Sequence, residues 1–285
     1  MSDRDLPADT PELTDLRRRL DILRPLDERQ IRALWPMVEN ESVFYTYATN
    51  AIEGSTLSLG ETAVVVNDGV TIGGKTVREH LDAINGAKAY RHMLDLAKGH
   101  LPVDEEVIKD LHAYAVGPDQ TWGGLYRTDQ RWISGSRYVP PAWTKVRPLM
   151  KDALAEYAEG ALDRHPVATA AKLHYDLAAI HPFPDYNGRT ARLAMNLHLI
   201  RSGYPPVSIV PGDQRADYFK ALEASNVHPA QYYPNRQGNP GPFIAFITEL
   251  VGRELARYVS VLIDLEHGDE PGAARTDDDD DEPRR

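Results

Sequence analysis

Hydrophobic residues recur along most of the chain at three- and four-residue steps, the spacing that places them on one face of an α-helix. Near the N-terminus this spacing predicts two short amphipathic helices, at about residues 13–23 and 31–38, separated around Pro25. A further helix is predicted over residues 42–52, and Gly54 marks its end. The start of the chain is therefore predicted to be helical, with two interruptions.

Helical patterning continues through most of the remaining sequence. Ser58 and Glu61 form the S-x-x-E pattern of a capping box, so the apolar run AVVV after them is predicted to be helical. Further helices are predicted at about residues 77–97, 103–116, 143–162, 167–180, 189–200, 214–226 and 242–264. Glycine, aromatic and β-branched residues around 132–139 indicate a loop or short hairpin. The predicted fold class is all-α, with one short β-hairpin.

The pattern predicts a single main domain at residues 41–266. Residues 1–40 are predicted to be an N-terminal helical extension that docks on it. From His267 onward the chain is acidic and has few apolar residues, so residues 267–285 are predicted to be disordered.

Composition narrows the classes of function. The chain has 285 residues, 32 Lys and Arg, 43 Asp and Glu, and a formal charge of −11. A nucleic-acid binder needs basic residues for the phosphates, so no nucleic-acid partner is expected. There is no cysteine, which excludes disulfides and thiolate metal sites. No apolar run approaches the length of a membrane helix, and the N-terminus lacks the apolar core of a signal peptide. We expect a cytoplasmic protein without a membrane partner.

One candidate phosphate site is GVTIGGKT, Gly69–Thr76, which matches the P-loop pattern G-x-x-x-x-G-K-[ST]. A P-loop needs a buried strand before it and a helix after it. AVVV precedes the match, but the capping box at Ser58 favours a helix there, and Asn-Asp-Gly favours a turn. A connecting loop is the preferred interpretation, and a P-loop NTPase is a remote alternative.

A second candidate is the segment HPFPDYNGRTAR between two predicted helices. Pro182 ends the first helix and leaves His181 in a loop, where an imidazole can act on a substrate. Asn187 and Gly188 open the second helix, whose free N–H groups and positive dipole end attract anions.

The same segment carries three charged residues suited to nucleotide chemistry. Arg189 and Arg192 are three residues apart, on one helical face, where they can hold phosphate oxygens. Asp185 is a carboxylate beside them, and nucleotide-bound Mg²⁺ takes one or two protein carboxylates. Any one of these residues has an ordinary structural explanation, but together, in this order, they indicate a nucleotide site.

With these residues in place, the segment resembles the signature of Fic-domain proteins, His-Pro-Phe-x-Asp-Gly-Asn-Gly-Arg-x-x-Arg. Every fixed position matches except one, because Tyr186 stands where the family usually has Gly. The segments NAIEGSTLSL, GKTVREHLDAINGAKAY, GLYRTDQRWISGSRYVPP and MNLHLIRSGYPPVSI are also similar to the family, so the resemblance runs from about residue 42 to 265. It implies a Fic fold and Mg²⁺-dependent transfer of AMP from ATP to a hydroxyl of an unidentified target protein.

The resemblance also implies roles for single residues. His181 would be the general base that takes the proton from a Ser, Thr or Tyr hydroxyl as it attacks the α-phosphorus. Asp185 would hold Mg²⁺ on the phosphates. The phosphates would be cradled by Asn187, Gly188 and Arg189, with Arg192 at the γ-phosphate.

Two further regions are assigned by similarity. Residues 133–139 resemble the family's flap, which holds an extended target backbone by β-augmentation. The flap residues are Ile133, Ser134, Gly135, Ser136, Arg137, Tyr138 and Val139. Tyr218 falls on the helix that usually lines the base pocket, although core packing explains a helical tyrosine equally well.

The segment TNAIEG, Thr49–Gly54, matches the Fic inhibitory motif [ST]-x-x-x-E-[GN]. By similarity, Glu53 would pair with Arg192 and occupy the guanidinium that binds the γ-phosphate. The protein is therefore expected to be autoinhibited.

Tyr186 keeps alternatives open. We expect it to be tolerated, with its side chain pointing outward and its N–H still available. Alternatively, Tyr186 alters the choice of nucleotide donor, or it disables transfer, so that the protein is a regulatory member of the family. A separate alternative is removal of AMP, which the inhibitory Glu supports in some relatives. The sequence also leaves the oligomeric state open, with a homodimer among the alternatives.

Overall fold

The computed structural model describes residues 10–99, 102–133, 135–226 and 238–266. The α-helices within these residues are α1 (Pro11–Ile22), α2 (Glu28–Ile52), α3 (Leu59–Asp68), α4 (Val77–Ala97), α5 (Glu105–Val116), α6 (Val146–Asp163), α7 (Pro166–Ile180), α8 (Asn187–Arg201), α9 (Asp213–Ser225) and α10 (Gly241–Glu266). A short 3-10 helix, Trp143–Lys145, leads into α6. The predicted mainly helical fold is confirmed. The acidic tail and Ser134 of the flap lie outside the described residues.

The largest helix of the N-terminal part differs from the prediction. Residues 31–38 and 42–52 were expected to form separate helices, but α2 runs without a break from Glu28 to Ile52. Glu41, at the expected break, is held by a tertiary contact, since it is buried and accepts a hydrogen bond from the Ser208 hydroxyl at 2.8 Å. Glu53 follows as the C-cap of this helix.

The segment around the P-loop-like match connects two helices. Ser58 and Glu61 form the predicted capping box, with the Glu61 N–H donating to the Ser58 hydroxyl at 3.2 Å and the Ser58 N–H donating to the Glu61 carboxylate at 2.8 Å. The AVVV run therefore belongs to α3, and no strand precedes Gly69. Lys75 donates to the Thr56 carbonyl instead of facing an open loop. The P-loop alternative is wrong.

Helices α7 and α8 lie at the centre of the molecule and contribute to both large hydrophobic clusters of the described residues. One cluster joins them to α1, α9 and α10, and the other joins them to α4, α5 and α6. In α8, 12 of 15 residues are buried, so this helix has almost no solvent face although two of the buried residues are arginines. None of the described helices combines the length and apolar character needed to span a bilayer.

The expected β-hairpin is absent among the described residues of the flap. Residues 132–133 and 135–139 form extended and turn conformations without a ladder. The Ser136 N–H donates to the Ile133 carbonyl at 3.1 Å, which closes a turn at Gly135. Pro140 has no N–H to donate to a ladder, and its carbonyl accepts from the Gln130 side chain at 3.0 Å.

Buried histidines make the stability of this fold depend on pH. His198 is 7% exposed and is hydrogen-bonded to the Tyr157 hydroxyl, and its pKa is lowered to about 4 by burial and by the nearby charge of Arg201. Burial also lowers the pKa of His174 well below its ordinary value. The unfolded chain therefore binds protons below about pH 6.5 that the folded chain does not bind.

We predict that the free energy of unfolding falls as the pH is lowered from 7 to 5, by about 2 kcal/mol for each such histidine. Urea unfolding at both pH values measures this change. His198→Gln should show a smaller difference between the two pH values than the parent. An equal difference in parent and variant would contradict the assignment to His198.

Candidate active site

His181 lies at the junction between α7 and the loop that leads to α8. It has a φ of 52°, and its N–H closes α7 by donating to the Leu177 carbonyl at 3.0 Å. Its carbonyl accepts from Arg127 Nε at 2.8 Å. Burial lowers the pKa of the His181 imidazole to about 4, against a smaller opposing effect of a hydrogen bond to the Ala178 backbone. The ring is therefore neutral near pH 7 and able to accept a proton.

The loop between His181 and α8 is held from inside. The Phe183 N–H donates to Asn187 Oδ1 at 2.8 Å, and Asn187 Nδ2 donates to the Phe183 carbonyl at 2.9 Å. The Asn187 side chain was expected at the phosphates, but it closes the loop instead. Only the backbone N–H of Asn187 remains at the helix N-terminus to contact a phosphate.

His112 supports the same loop from α5. Its ring stacks on Phe183 with centroids 3.7 Å apart. The Gly124 N–H donates to Nδ1 at 2.8 Å, so Nε2 carries the proton and donates to the Asp185 carbonyl at 3.2 Å. Burial lowers the pKa of His112 to about 4, which keeps this tautomer neutral.

Gly188 lies in the first turn of α8, directly against Glu53. A Cβ at this position would come within 2.7 Å of Glu53 Oε1 and 3.2 Å of Arg192 Nη1, so a larger residue would displace the Glu53 carboxylate. The Glu53 carboxylate therefore occupies the anion-attracting end of α8. Burial alone would raise the pKa of Glu53, but the charges of Arg192 and Arg189 outweigh it and the pKa is lowered.

Arg192 is 2% exposed and every nitrogen of its guanidinium has a partner. Nε donates to the Thr49 hydroxyl at 2.8 Å, and Nη2 donates to Glu53 Oε1 at 2.7 Å. Nη1 donates to the Tyr218 hydroxyl at 3.3 Å. The structure thus brings together Glu53 and Arg192, as expected for the inhibitory motif.

Tyr218 is buried on α9 and lines the site. Its hydroxyl is 3.2 Å from His174 Nε2 and accepts from Arg192, so the side chain links two buried groups of the central helices. Tyr218 therefore has a structural role in addition to the predicted place at the nucleotide base.

Asp185 is the acidic residue of the loop, and its side chain is 47% exposed. Burial opposes ionisation, but the Tyr186 N–H and the Arg78 side chain, which donates at 2.6 Å, lower its pKa. No group of three or more histidine or acidic side chains in the described ranges forms a metal cage. One exposed, ionised carboxylate fits a metal that arrives with a nucleotide, since Mg²⁺ then keeps mainly phosphate and water ligands.

The Tyr186 side chain was expected to point outward with its N–H available, but neither expectation holds. Its N–H donates to the Asp185 carboxylate. The side chain is 8% exposed and packs in the hydrophobic cluster around α5, while its hydroxyl donates to Asp82. Burial and the Asp82 carboxylate raise the pKa of Tyr186 to about 12. Its φ of 59° lies in the left-handed region, which costs a side chain larger than Gly roughly 1 kcal/mol. The expectation failed because the aromatic ring finds a buried cationic partner, Arg189.

A cavity of about 320 Å³ joins eight of the predicted site residues, but Asp185, Asn187, Arg189 and Arg192 do not line it. It is lined by Glu53, His181, Gly188 and Tyr218, together with Ile133, Gly135, Ser136 and Tyr138 of the flap. Arg137 is exposed and Val139 partly buried, and neither lines the cavity. Tyr138 is anchored by a hydrogen bond from its hydroxyl to the Ala179 carbonyl at 3.1 Å.

Several supporting residues escaped the sequence analysis. Thr49 opens the motif TNAIEG, but its contact with Arg192 depends on how α2 crosses α8. Arg127 belongs to the segment GLYRTDQR and binds the carbonyls of His181 and Asp129. His112 and Asp82 lie on amphipathic helices with nothing in their spacing to indicate a contact with the loop. Only packing of distant helices reveals them.

Comparisons with known proteins agree with this geometry. Residues 102–199 match the model of the Fic/DOC family. The protein adenylyltransferase fic-1 of Caenorhabditis elegans is 35% identical over 234 residues, which are 81% of this chain and 44% of that protein. The protein adenylyltransferase Fic of Drosophila ananassae is 30% identical over 280 residues, covering 92% of this chain and 54% of the relative. The chain thus spans about half the length of these curated relatives.

Solved structures give the same answer for the fold. A structure of Fic-1 from C. elegans superposes with a TM-score of 0.74 at 31% identity, over 88% of this chain and 72% of that one. A Fic-domain signalling protein from Bacteroides thetaiotaomicron shares the fold, with a TM-score of 0.79 at 22% identity. With the matched segment, the inhibitory motif and the fold in agreement, the chain belongs to the Fic/DOC family.

Proposed function

We propose that this protein transfers AMP from ATP to a hydroxyl side chain of a target protein and that Glu53 restrains the reaction. The curated relatives are named protein adenylyltransferases, which supports ATP and a protein as the substrates. The observation that carries the proposal is the Glu53 carboxylate, placed over Gly188 and 2.7 Å from Arg192, in the cavity that His181 also lines.

The residues of the cavity suit this transfer. Neutral His181 takes the proton from the target hydroxyl as its oxygen attacks the α-phosphorus. A new oxygen–phosphorus bond forms, the bond between the α-phosphorus and the bridging oxygen breaks, and pyrophosphate leaves. Backbone N–H groups at Gly188 and the guanidinium of Arg189 stabilise the charge on the phosphates.

Asp185 would hold Mg²⁺ on the nucleotide phosphates, where the ion supplies charge neutralisation. Arg78 pairs with this carboxylate at 2.6 Å. Because Arg78 is a 64% exposed side chain on a flexible stem, it can leave Asp185 at small cost when the nucleotide arrives.

The target would enter beside the flap. Ile133, Gly135 and Ser136 line the same cavity as His181. An extended target segment would pair with the flap backbone in place of the turn bond from the Ser136 N–H to the Ile133 carbonyl.

Glu53 would restrain the reaction by holding Arg192. A γ-phosphate needs the same guanidinium nitrogens that the carboxylate occupies, and it would meet a like charge at Gly188. ATP then binds weakly or in a position in which the α-phosphorus does not face His181.

We predict that Glu53→Gly raises AMP transfer by roughly tenfold to a hundredfold, the value of one charged hydrogen bond made available to the nucleotide. The measurement is incorporation of label from α-labelled ATP into protein in a host lysate. Glu53→Asp should lie between the parent and Glu53→Gly, because it keeps the charge on a shorter stem.

The controls identify the chemistry. Label from γ-labelled ATP should remain unincorporated, and His181→Ala in the Glu53→Gly background should abolish incorporation while retaining nucleotide binding. Incorporation from the γ-position would show phosphate transfer instead. Equal incorporation by parent and Glu53→Gly would rule out the inhibitory role of Glu53.

The low pKa of His181 gives a second prediction. Since this pKa is about 4, the imidazole is already in its base form above about pH 5. For Glu53→Gly, kcat/KM for ATP should therefore stay level from pH 8 to 5.5 and fall only below that range. A decline centred near pH 6.5 would show that His181 titrates as an exposed histidine.

A further inference from the structure

Tyr186 is a bulky residue in a backbone conformation that favours glycine. It is the N-cap of α8, with φ 59° and ψ 13°, and its side chain makes no capping hydrogen bond. Neither the proton transfer nor the inhibition proposed above uses this side chain.

The ring of Tyr186 forms a platform for a phosphate-site arginine. The guanidinium carbon of Arg189 lies 3.6 Å from the ring centroid, the distance of a close cation–π contact. Arg189 is 6% exposed, so this contact is shielded from water. The ring thereby restricts where the guanidinium can lie.

Asp82 of α4 completes a closed set of contacts. Its Oδ1 accepts the Tyr186 hydroxyl, and its Oδ2 lies 3.1 Å from Arg189 Nη1. Tyr186 and Asp82 thus hold Arg189 and also hold each other. Each of the three side chains therefore contacts the other two.

The other contacts of Arg189 are longer. Nη1 is 3.4 Å from Asn50 Oδ1, and Nη2 is 3.9 Å from Asp185 Oδ1, beyond hydrogen-bond distance. Nε is buried and has no hydrogen-bond partner among the described residues. Tyr186 and Asp82 therefore determine the orientation of the Arg189 guanidinium, whose Nε–H remains available to donate a hydrogen bond to a ligand.

We infer that Tyr186 and Asp82 are positioning residues that orient Arg189 for the phosphates of the nucleotide. The inference rests on the proposed function, because it takes the phosphates of ATP as the ligand of Arg189. It has an unusual consequence. Tyr186→Gly, which introduces the residue that the family usually has and relieves the positive φ, should weaken phosphate binding in this chain.

The test measures binding of ADP and of adenosine, without metal, by titration calorimetry or ligand-observed NMR, in the full chain carrying Glu53→Gly. Tyr186→Gly and Asp82→Asn should each lower ADP affinity by about tenfold. Adenosine affinity should not change, because adenosine has no phosphate. Tyr186→Phe keeps the aromatic platform and should retain most of the ADP affinity. Asp110→Asn, which removes a carboxylate paired with His92 outside the loop, is the matched control and should bind both ligands as the parent does.

Three outcomes overturn the inference. Unchanged or tighter ADP binding by Tyr186→Gly would show that Arg189 needs no platform. Equal losses of ADP and adenosine would show that Tyr186 only stabilises the fold. Absence of ADP binding in the Glu53→Gly parent would overturn both this inference and the proposed function. ADP binding with the expected losses, but without AMP transfer by the parent, would support the positioning role and reject the transferase.

Discussion

The arrangement of the site depends on one constraint, the burial of the Arg192 guanidinium on α8, a helix with almost no solvent face. A buried cation is costly unless its donors are satisfied. Thr49 and Glu53 satisfy it from the end of α2, and Tyr218 satisfies it from α9. Two elements distant in sequence are thus fixed on α8 by a single side chain, and the partner with the negative charge is the one that a phosphate could replace.

The loop before α8 has to present His181 and the helix N-terminus to the same cavity. It does so with two residues in the left-handed region, His181 and Tyr186, one at each end of the turn. The reciprocal bonds between Phe183 and Asn187 and the neutral His112 beneath them make this conformation rigid. The backbone strain at His181 and Tyr186 is tolerated because the contacts within the loop hold these two residues in the left-handed conformation.

Sequence patterning predicted the helices well where local rules act alone. The capping box at Ser58 and the spacing in α4 needed no tertiary information. The prediction failed at residues 39–41, where α2 continues through Glu41, and at residues 132–139, whose described residues form a turn without a ladder. At Glu41 the buried contact with the distant Ser208 overrides the local preference, whereas Pro140, next to the flap, has no N–H to give to a ladder.

The motif pointed to the candidate site, but it did not give the structural contacts of each member. The contact between Glu53 and Arg192 followed from similarity, whereas the loop-closing role of Asn187 and the buried position of Tyr186 required the structure. A residue's neighbours across the fold decide whether it faces a ligand or the protein interior. For Tyr186, Asp82 and Arg189 supply such neighbours, and no local rule predicts them.

The central claim is that Glu53 and a γ-phosphate compete for Arg192. A crystal structure of Glu53→Gly with ATP, compared with one of the parent soaked in the same nucleotide, tests it directly. Arg192 is expected within about 3 Å of γ-phosphate oxygens in the variant, and on Glu53 in the parent. Arg192 bound to Thr49 alone in the variant, with ATP present and its γ-phosphate elsewhere, would contradict it.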